Sequence, residues 1–357
     1  RGCTELRRGR PVALTFGRGW LLAASIETLS DSLLQQVVKL GRPMRLLLSP
    51  ERLQALEAHA GQQGADQPLA LALPGDVSLS KLQQLAAVTS GPANRGGIET
   101  LPPRPYEVQA CAAAMTMCKR ARLIPALLLV HLPPDARASL EASDVMQVDP
   151  ADAALAHPVQ AAALRRVSDA RVPLEAEEDC TLVVFRELDG DAEHVALIVG
   201  QPPADSPVPV RLHSACLTGD LLGSLRCDCG PQLQQAVKRL AETGGVLLYL
   251  AQEGRATGLA NKLRAYRLQD AGLDTLQADR HLGFREDERD FAAASAMLKA
   301  LGHTRIQLLT NNPQKIEALR RTGIEVVDRL ALHGGVNTHN ERYIRTKQQA
   351  GHLGSGD

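Results

Sequence analysis

Residues 211–230 read R-L-H-S-A-C-L-T-G-D-L-L-G-S-L-R-C-D-C-G and bring Cys216, Cys227 and Cys229 into one short stretch. Thiolate sulfur is a preferred zinc ligand. Three protein ligands with a fourth position open is the pattern of a catalytic zinc site, whereas a structural zinc is normally closed by four. Buried cysteines without a metal are the plainer reading, but Cys227-Asp228-Cys229 fits it badly. In a strand the two side chains would point to opposite faces, and one core would not hold both. In a tight turn ending at Gly230 both sulfurs can converge on one ion. Pro209–Leu212, an apolar strand, is expected to deliver this loop.

With 357 residues the chain is too long for one ordinary core, and two domains are expected. A hydrophobic content of 44% with 22% charged residues describes a soluble globular protein, and at 3% aromatics its cores must be built from Leu, Ala and Val. The formal net charge of zero argues against a broad DNA or RNA footprint but leaves room for a basic pocket that takes a nucleotide. The seven cysteines, an odd number with one metal-like cluster, indicate a reducing compartment, the cytoplasm. No run of 18 apolar residues suggests a membrane span, and no apolar signal region follows Arg1.

Strands alternate with helices throughout, so the fold class is α/β (α+β), two domains each with a mixed sheet and packed helices. In the first half, strands are expected at Val12–Phe16, Leu21–Ser25, Met44–Leu48 and Ala126–His131, with a turn over Gly17–Trp20. Helices are expected over Leu29–Leu40, capped by Ser30 or Asp31, from Ser49-Pro50-Glu51 through Ala58, and over Val108–Lys119. Gly91–Pro105 reads as a long loop, and Asp149–His157 as the approach to a linker. The boundaries are 1–150 for the first domain, 151–162 for the linker, 163–353 for the second domain and 354–357 for a frayed tail.

In the second half, Thr181–Glu187 and His194–Val199 read as paired strands joined by a turn at Leu188-Asp189-Gly190-Asp191. Gln232–Thr243 is an amphipathic helix, ended by Gly244-Gly245. Val246–Leu250 is a buried strand, and Gln252-Glu253-Gly254-Arg255 follows at its carboxyl end, where α/β folds place ligand loops. A helix over Asn261–Ala271 carries Tyr266; by itself a lone helical tyrosine is more often packing than chemistry. A helix over Phe291–Leu301 and a strand at Ile306–Leu309 lead to Thr310-Asn311-Asn312-Pro313-Gln314-Lys315, which opens a further helix. Unpaired N–H groups at a helix start suit an anion, and Lys315 adds a point charge. Ile324–Val327 is the last strand, and His333–Asn340 a polar loop.

H-S-x-C-L-T-G-D followed by S-L-R-C-D-C-G closely resembles the zinc-binding signature of GTP cyclohydrolase II, which opens the imidazole ring of guanine at the start of riboflavin synthesis. N-K-L-R-A-Y-R-L-Q-D and D-E-R-D-F continue the likeness through most of the chain after residue 163. The resemblance implies Cys216, Cys227 and Cys229 as ligands of one Zn²⁺ per catalytic domain, and GTP with Mg²⁺ on its triphosphate as substrate. It implies Asp287 as proton acceptor, Arg289 as a proposed nucleophile and Tyr266 as an active-site tyrosine. Arginine stays protonated below about pH 12, so bidentate clamping of a phosphate is the plainer role for Arg289. Arg211, His213, Ser214, Gln232, Glu253, Gly254, Arg255, Thr275, Thr310 and Lys315 are the expected substrate-binding residues. A homodimer is also implied. The family usually has Glu just before the first zinc cysteine, whereas this chain has Ala215. That departure motivates a second reading, an enzyme acting on another nucleotide. A third reading is a non-catalytic, zinc-stapled regulatory module.

The first half is similar in order to 3,4-dihydroxy-2-butanone 4-phosphate synthase, through L-R-R-G-R-P-V-A-L, S-P-E-R-L-Q-A-L and V-Q-A-C-A-A-A-M-T-M-C-K-R-A-R-L-I-P-A-L-L-L-V. The synthase holds Mg²⁺ with an acidic loop between its first two strands. Here that place is Gly17-Arg18-Gly19-Trp20, and Arg104-Pro105-Tyr106-Glu107 stands where the synthase has Gly-His-Thr-Glu. Hard Mg²⁺ needs oxygen ligands. The first domain is therefore expected to be degenerate and non-catalytic.

Overall fold

The computed structural model describes residues 1–17, 19–57, 68–89, 98–154, 163–188, 192–332 and 338. They divide into two compact units, Arg1–Ala156 with Ala260–Glu288, and His157–Leu259 with Arg289–Asp357. Each is built on a seven-stranded sheet, so the α/β class with two mixed sheets is observed.

In the first unit the strand order is Thr100–Leu101, Leu69–Leu73, Met44–Leu48, Ala126–Leu132, Gly19–Ser25, Val12–Phe16 and Met146–Val148. Neighbours are antiparallel except the last pair. Alternating side chains serve both faces. Leu46, Leu48 and Leu128 enter one apolar cluster; Leu47, Leu127 and Leu129 enter another, beneath the helix Val108–Arg120. The strands expected at Val12–Phe16 and Met44–Leu48 form with those bounds. The helix expected over Leu29–Leu40 runs Asp31–Lys39 with Ser30 as its cap, the Ser30 Oγ accepting from Leu33 N at 3.2 Å. Pro50–Glu57 is helical, and Ala58 lies outside the described residues.

Thr100–Leu101 is a short strand inside the stretch Gly91–Pro105 expected to be loop, of which residues 91–97 lie outside the described residues. Phe16 pairs with Gly19 across the expected turn, whose Arg18 is likewise outside. Residues 150–154 are helical, so the start of the expected linker is a helical turn; residues 155–162 are not among those described. The buried Glu107 carboxylate meets Arg45 Nη1 at 2.9 Å and His131 Nε2 at 2.7 Å. Its charge is compensated within the protein rather than offered to a hard cation. The segment Ala260–Glu288 contributes Ala265, Ala278, Leu282 and Phe284 to a cluster with Ala87.

In the second unit the order is Glu325–Leu330, Arg305–Leu309, Val208–Ser214, Gly245–Leu250, Glu193–Val199, Cys180–Arg186 and Arg165–Arg171. The first four strands are parallel and the rest antiparallel. The central strand Gly245–Leu250 is apolar on both faces, with Val246, Leu248 and Leu250 in one cluster and Leu247 and Tyr249 in the other, as a strand covered by helices requires, whereas Val208–Ser214 sets Val208, Val210 and Leu212 on one face and Arg211 and His213 on the other. The edge strand Arg165–Arg171 is exposed along its whole length, and its charges protect an open edge. Residues 189–191 of the expected hairpin turn, 333–337 and 339–340 of the expected polar loop, and the tail at 354–357 lie outside the described residues.

Candidate active site at the carboxyl edge of the second sheet

Three parallel strands end at one edge of the second sheet. Ser214 pairs with Leu250, so those two strands end level, whereas Val210 pairs with Leu308, so Arg305–Leu309 ends earlier, beside Arg211. The loops that follow therefore meet outside the carboxyl ends of the strands, where open α/β sheets bind ligands. Val208–Ser214 delivers the cysteine loop, Gly245–Leu250 delivers 251–258, and Arg305–Leu309 delivers Thr310 and the helix Pro313–Arg321.

The sulfurs of Cys216, Cys227 and Cys229 lie within 4.8 Å of one another, with Cys216 and Cys227 3.7 Å apart. Leu217–Leu221 is a single π-helical turn, a form that recurs at functional sites. The tight turn expected to end at Gly230 is instead the start of a helix, which runs Cys229–Thr243 and so begins before Gln232. Pro231 falls in its first turn, where no N–H partner is needed. Cys229 thus stands at a helix N-terminus, whose partial positive charge favours a thiolate. Hydrogen bonding to Cys216, together with burial, pushes Cys227 up, although Cys229 pulls the other way; hydrogen bonding to Cys216 and Cys227, together with burial, pushes Cys229 well above the usual thiol value. Thiols this close ionise together only around a cation. The donor set fits zinc.

Two glycines let the loop close. A Cβ on Gly219 would stand 2.8 Å from Cys227 Sγ and 3.0 Å from Cys216 Sγ. One on Gly230 would run into the Gly219 carbonyl oxygen. Gly219→Ala is expected to force the sulfurs apart and weaken zinc binding by roughly 10- to 100-fold, with little change in melting temperature. Competition with a chelator measures it.

Asp220 organises the approach to the cysteines. It accepts from Cys216 N at 3.0 Å, from Tyr249 Oη at 2.9 Å and from His213 Nε2 at 3.0 Å. Burial lowers the pKa of His213, although Asp220 pulls the other way. Its ring stacks on Tyr249, with centroids 5.6 Å apart. Glu253 braces the same loop from the next strand, accepting from Leu217 N at 2.6 Å and from its neighbour Gly254 N at 3.1 Å. Gly254, Arg255 and Ala256 all have positive φ, at 63°, 57° and 73°. Non-glycine residues held this way are strained, and such strain clusters at ligand sites.

The cations gather at the same edge. Arg211 donates Nη1 to Leu309 O at 2.9 Å and Nη2 to Gln232 Oε1 at 2.8 Å. Burial lowers its pKa to about 10; Asp228 and Cys229 raise it, and the charge of Arg289 lowers it further. Arg289 and Lys315 flank the Phe291 ring, at 5.6 and 5.7 Å from its centroid. Lys315 Nζ donates to Leu212 O at 2.8 Å, and Thr310 Oγ1 accepts from Asn312 N at 3.0 Å. Four buried polar atoms here have no protein partner among the described residues: Arg211 Nε, His213 Nδ1, Ser214 Oγ and Gln252 Oε1. Such orphans cost stability unless something meets them.

The second unit therefore contains the cysteines and the expected Arg211, His213, Ser214, Gln232, Glu253, Gly254, Arg255, Arg289, Thr310 and Lys315. Tyr266, Thr275 and Asp287 belong to Ala260–Glu288 in the other unit. Tyr266 lies in the helix Leu259–Asp270, its ring 5.9 Å from Lys262 Nζ, and Thr275 opens the helix Thr275–His281, capped by Asp274. The sequence reading gave no role of their own to Asp220, which it met only inside the H-S-x-C-L-T-G-D signature, to Gln252, met only as part of the loop 252–255, or to Tyr249. Asp220 had a signal, as the only carboxylate between Cys216 and Cys227. Tyr249 had none, being one polar tip in an apolar strand.

Residues 165–331 match the family model described as GTP cyclohydrolase II. A GTP cyclohydrolase-2 of Azospirillum brasilense is 41% identical over 99% of this chain and 93% of its own length. One from Xylella fastidiosa (strain 9a5c) is 41% identical over 99% and 86%. One from Yersinia pseudotuberculosis is 52% identical over 53% of this chain and 97% of itself. Among solved structures, a two-domain 3,4-dihydroxy-2-butanone 4-phosphate synthase from A. baumannii is similar at 17% identity over 93% of this chain and 98% of that one, with a TM-score of 0.33. The chain belongs to the GTP cyclohydrolase II family and is an enzyme.

Proposed function

We propose that the chain hydrolyses GTP with opening of the imidazole ring. The products are formate, pyrophosphate and 2,5-diamino-6-(ribosylamino)pyrimidinone 5′-phosphate, in the first step of riboflavin synthesis. One observation carries this reading: a three-thiol cluster, a group of cations and four orphaned polar atoms share one sheet edge.

Cys216, Cys227 and Cys229 would hold Zn²⁺ and leave a position open. Zinc supplies Lewis acidity, which makes a nucleophile available at neutral pH for attack on C8, a poor electrophile. Asp220 holds the Cys216 amide and His213, and so fixes the first ligand's backbone. Arg211, Arg255, Arg289, Lys315 and the start of the helix Pro313–Arg321 neutralise the triphosphate, together with Mg²⁺ on its oxygens. Glu253 is the acceptor suited to the N–H groups at the edge of guanine, and the Gln232 amide, which can both donate and accept, is suited to the same edge. The family resemblance assigns Asp287 the role of proton acceptor and Tyr266 that of an active-site tyrosine.

We read residues 1–150 as a non-catalytic domain, 151–162 as a linker and 163–353 as the catalytic sequence, in a cytoplasmic homodimer. Among the described residues no helix is long and apolar enough to cross a membrane. GTP labelled at C8 tests the ring-opening step. The zinc-loaded protein should release the label as formate; a protein that cleaves phosphate alone would retain it in the nucleotide.

A further inference from the structure

The first unit contains more than the first half of the chain. Ala260–Glu288 lies within the family match yet packs with Arg1–Ala156. The packing is specific. Arg52, 1% exposed, sits where two helices end. Its Nε donates to Leu85 O at 2.8 Å and its Nη2 to Gln84 O at 3.1 Å, at the end of Leu79–Leu85. Its Nη1 donates to His281 O at 2.8 Å, the last residue of Thr275–His281. One cation thus meets the negative ends of two helices, one from each part of the sequence.

The contacts continue along the segment. Ser49 Oγ donates to Gly283 O at 2.7 Å. Gly283 has φ +88°, and a Cβ there would stand 2.9 Å from both Ser49 Oγ and Pro125 Cγ. Asn261 Nδ2 donates to Arg122 O at 2.9 Å, and Arg264 pairs with Glu27 at 2.9 Å. At the far end Lys119 Nζ reaches Glu288 Oε1 at 2.6 Å. Glu288 stands between Asp287 and Arg289 in sequence, and Arg285 holds its other oxygen at 2.7 Å.

We infer that the first domain is the seat of the segment that carries Tyr266, Thr275 and Asp287, and that Lys119 and Arg52 are positioning residues for GTP ring opening. The inference rests on the function proposed above. It gives a task to a domain that lacks the acidic loop of the synthase it resembles. Lys119 is the sharper case, because its ion pair fixes the residue next to Asp287. A displacement of about 1 Å far from the reacting atoms can cost on the order of 100-fold in rate.

The experiment uses the full chain and Lys119→Met, Lys119→Arg and Arg52→Met. The expected result for Lys119→Met is faster amide exchange across 282–290 and a kcat lower by roughly 10- to 100-fold. The KM for GTP, the bound zinc and the melting transition should remain near wild type, and Lys119→Arg should recover most of kcat. Glu288→Gln added to Lys119→Met should cost less than the sum of the two single changes, because they share the Lys119 pair, although Glu288→Gln also loosens Arg285. An unchanged kcat despite faster exchange, or unchanged exchange, would overturn the inference. So would a loss of kcat that goes with loss of zinc or of the melting transition, since Lys119 would then be merely structural. If Arg52→Met does not fold, the Lys119 set decides alone. A wild-type protein that releases no formate from GTP would instead overturn the proposed function.

Discussion

Cys227→Ser is expected to give a folded protein that has lost its zinc and its formate-releasing activity. Cys227 belongs to a loop beyond the end of the strand Val208–Ser214, while the second unit is held by apolar clusters on both faces of its sheet. Removing one sulfur from that edge leaves those clusters intact. The serine hydroxyl stays protonated at neutral pH and is a poor zinc ligand, so two thiols remain where three are needed. The turnover rate should fall by at least about 1000-fold, which corresponds to ~4 kcal/mol of transition-state stabilisation. Metal analysis, thermal melting and formate release on one preparation check it. Loss of the folded state together with the zinc would identify the ion as a staple and contradict a catalytic role.

Arg289→Ala is expected to lower kcat/KM by about 1000-fold, the lower range for removing an arginine that stabilises a transferring phosphate. Arg289 stands among other cations: its charge lowers the pKa of Arg211, and it shares the Phe291 ring with Lys315. Such a cluster is costly without an anion and suits a triphosphate. If Arg289 clamps a phosphate, Arg289→Lys keeps the charge but loses the fork and should recover a measurable part of the rate. If Arg289 is a nucleophile, rapid quenching of the wild type should trap a nucleotide bound to the protein. The expected outcome is partial recovery with nothing trapped.

The parts of this site that lie in one continuous stretch were legible in the sequence. Cys216, Cys227 and Cys229 are spaced like metal ligands, and their sulfurs converge. Thr310 and Lys315 were placed at a strand-to-helix turn, and Asn312 caps that helix as such a turn requires. The start of the helix at Cys229 was missed because a cysteine pair beside Gly-Pro reads as a turn, although proline is tolerated in a first helical turn. Short strands such as Thr100–Leu101 were hidden because two residues carry no periodicity. Nor could spacing reveal that Ala260–Glu288 packs with the first unit. That pairing depends on Arg52 reaching a carbonyl more than two hundred positions away, and on a glycine with positive φ beneath it. Ala215 is a departure visible in sequence alone. Its amide is committed to Leu250 O at 2.8 Å, so its contact with a nucleotide would fall to its carbonyl or its methyl group.

The most direct measurement is a product balance. Purified, zinc-loaded protein is incubated with GTP and Mg²⁺, and formate, pyrophosphate and the pyrimidine are followed together. Equal amounts of all three, with none formed by Cys227→Ser, is the result expected of a zinc-dependent cyclohydrolase. Pyrophosphate without formate, or no turnover by a folded protein with zinc bound, would contradict it.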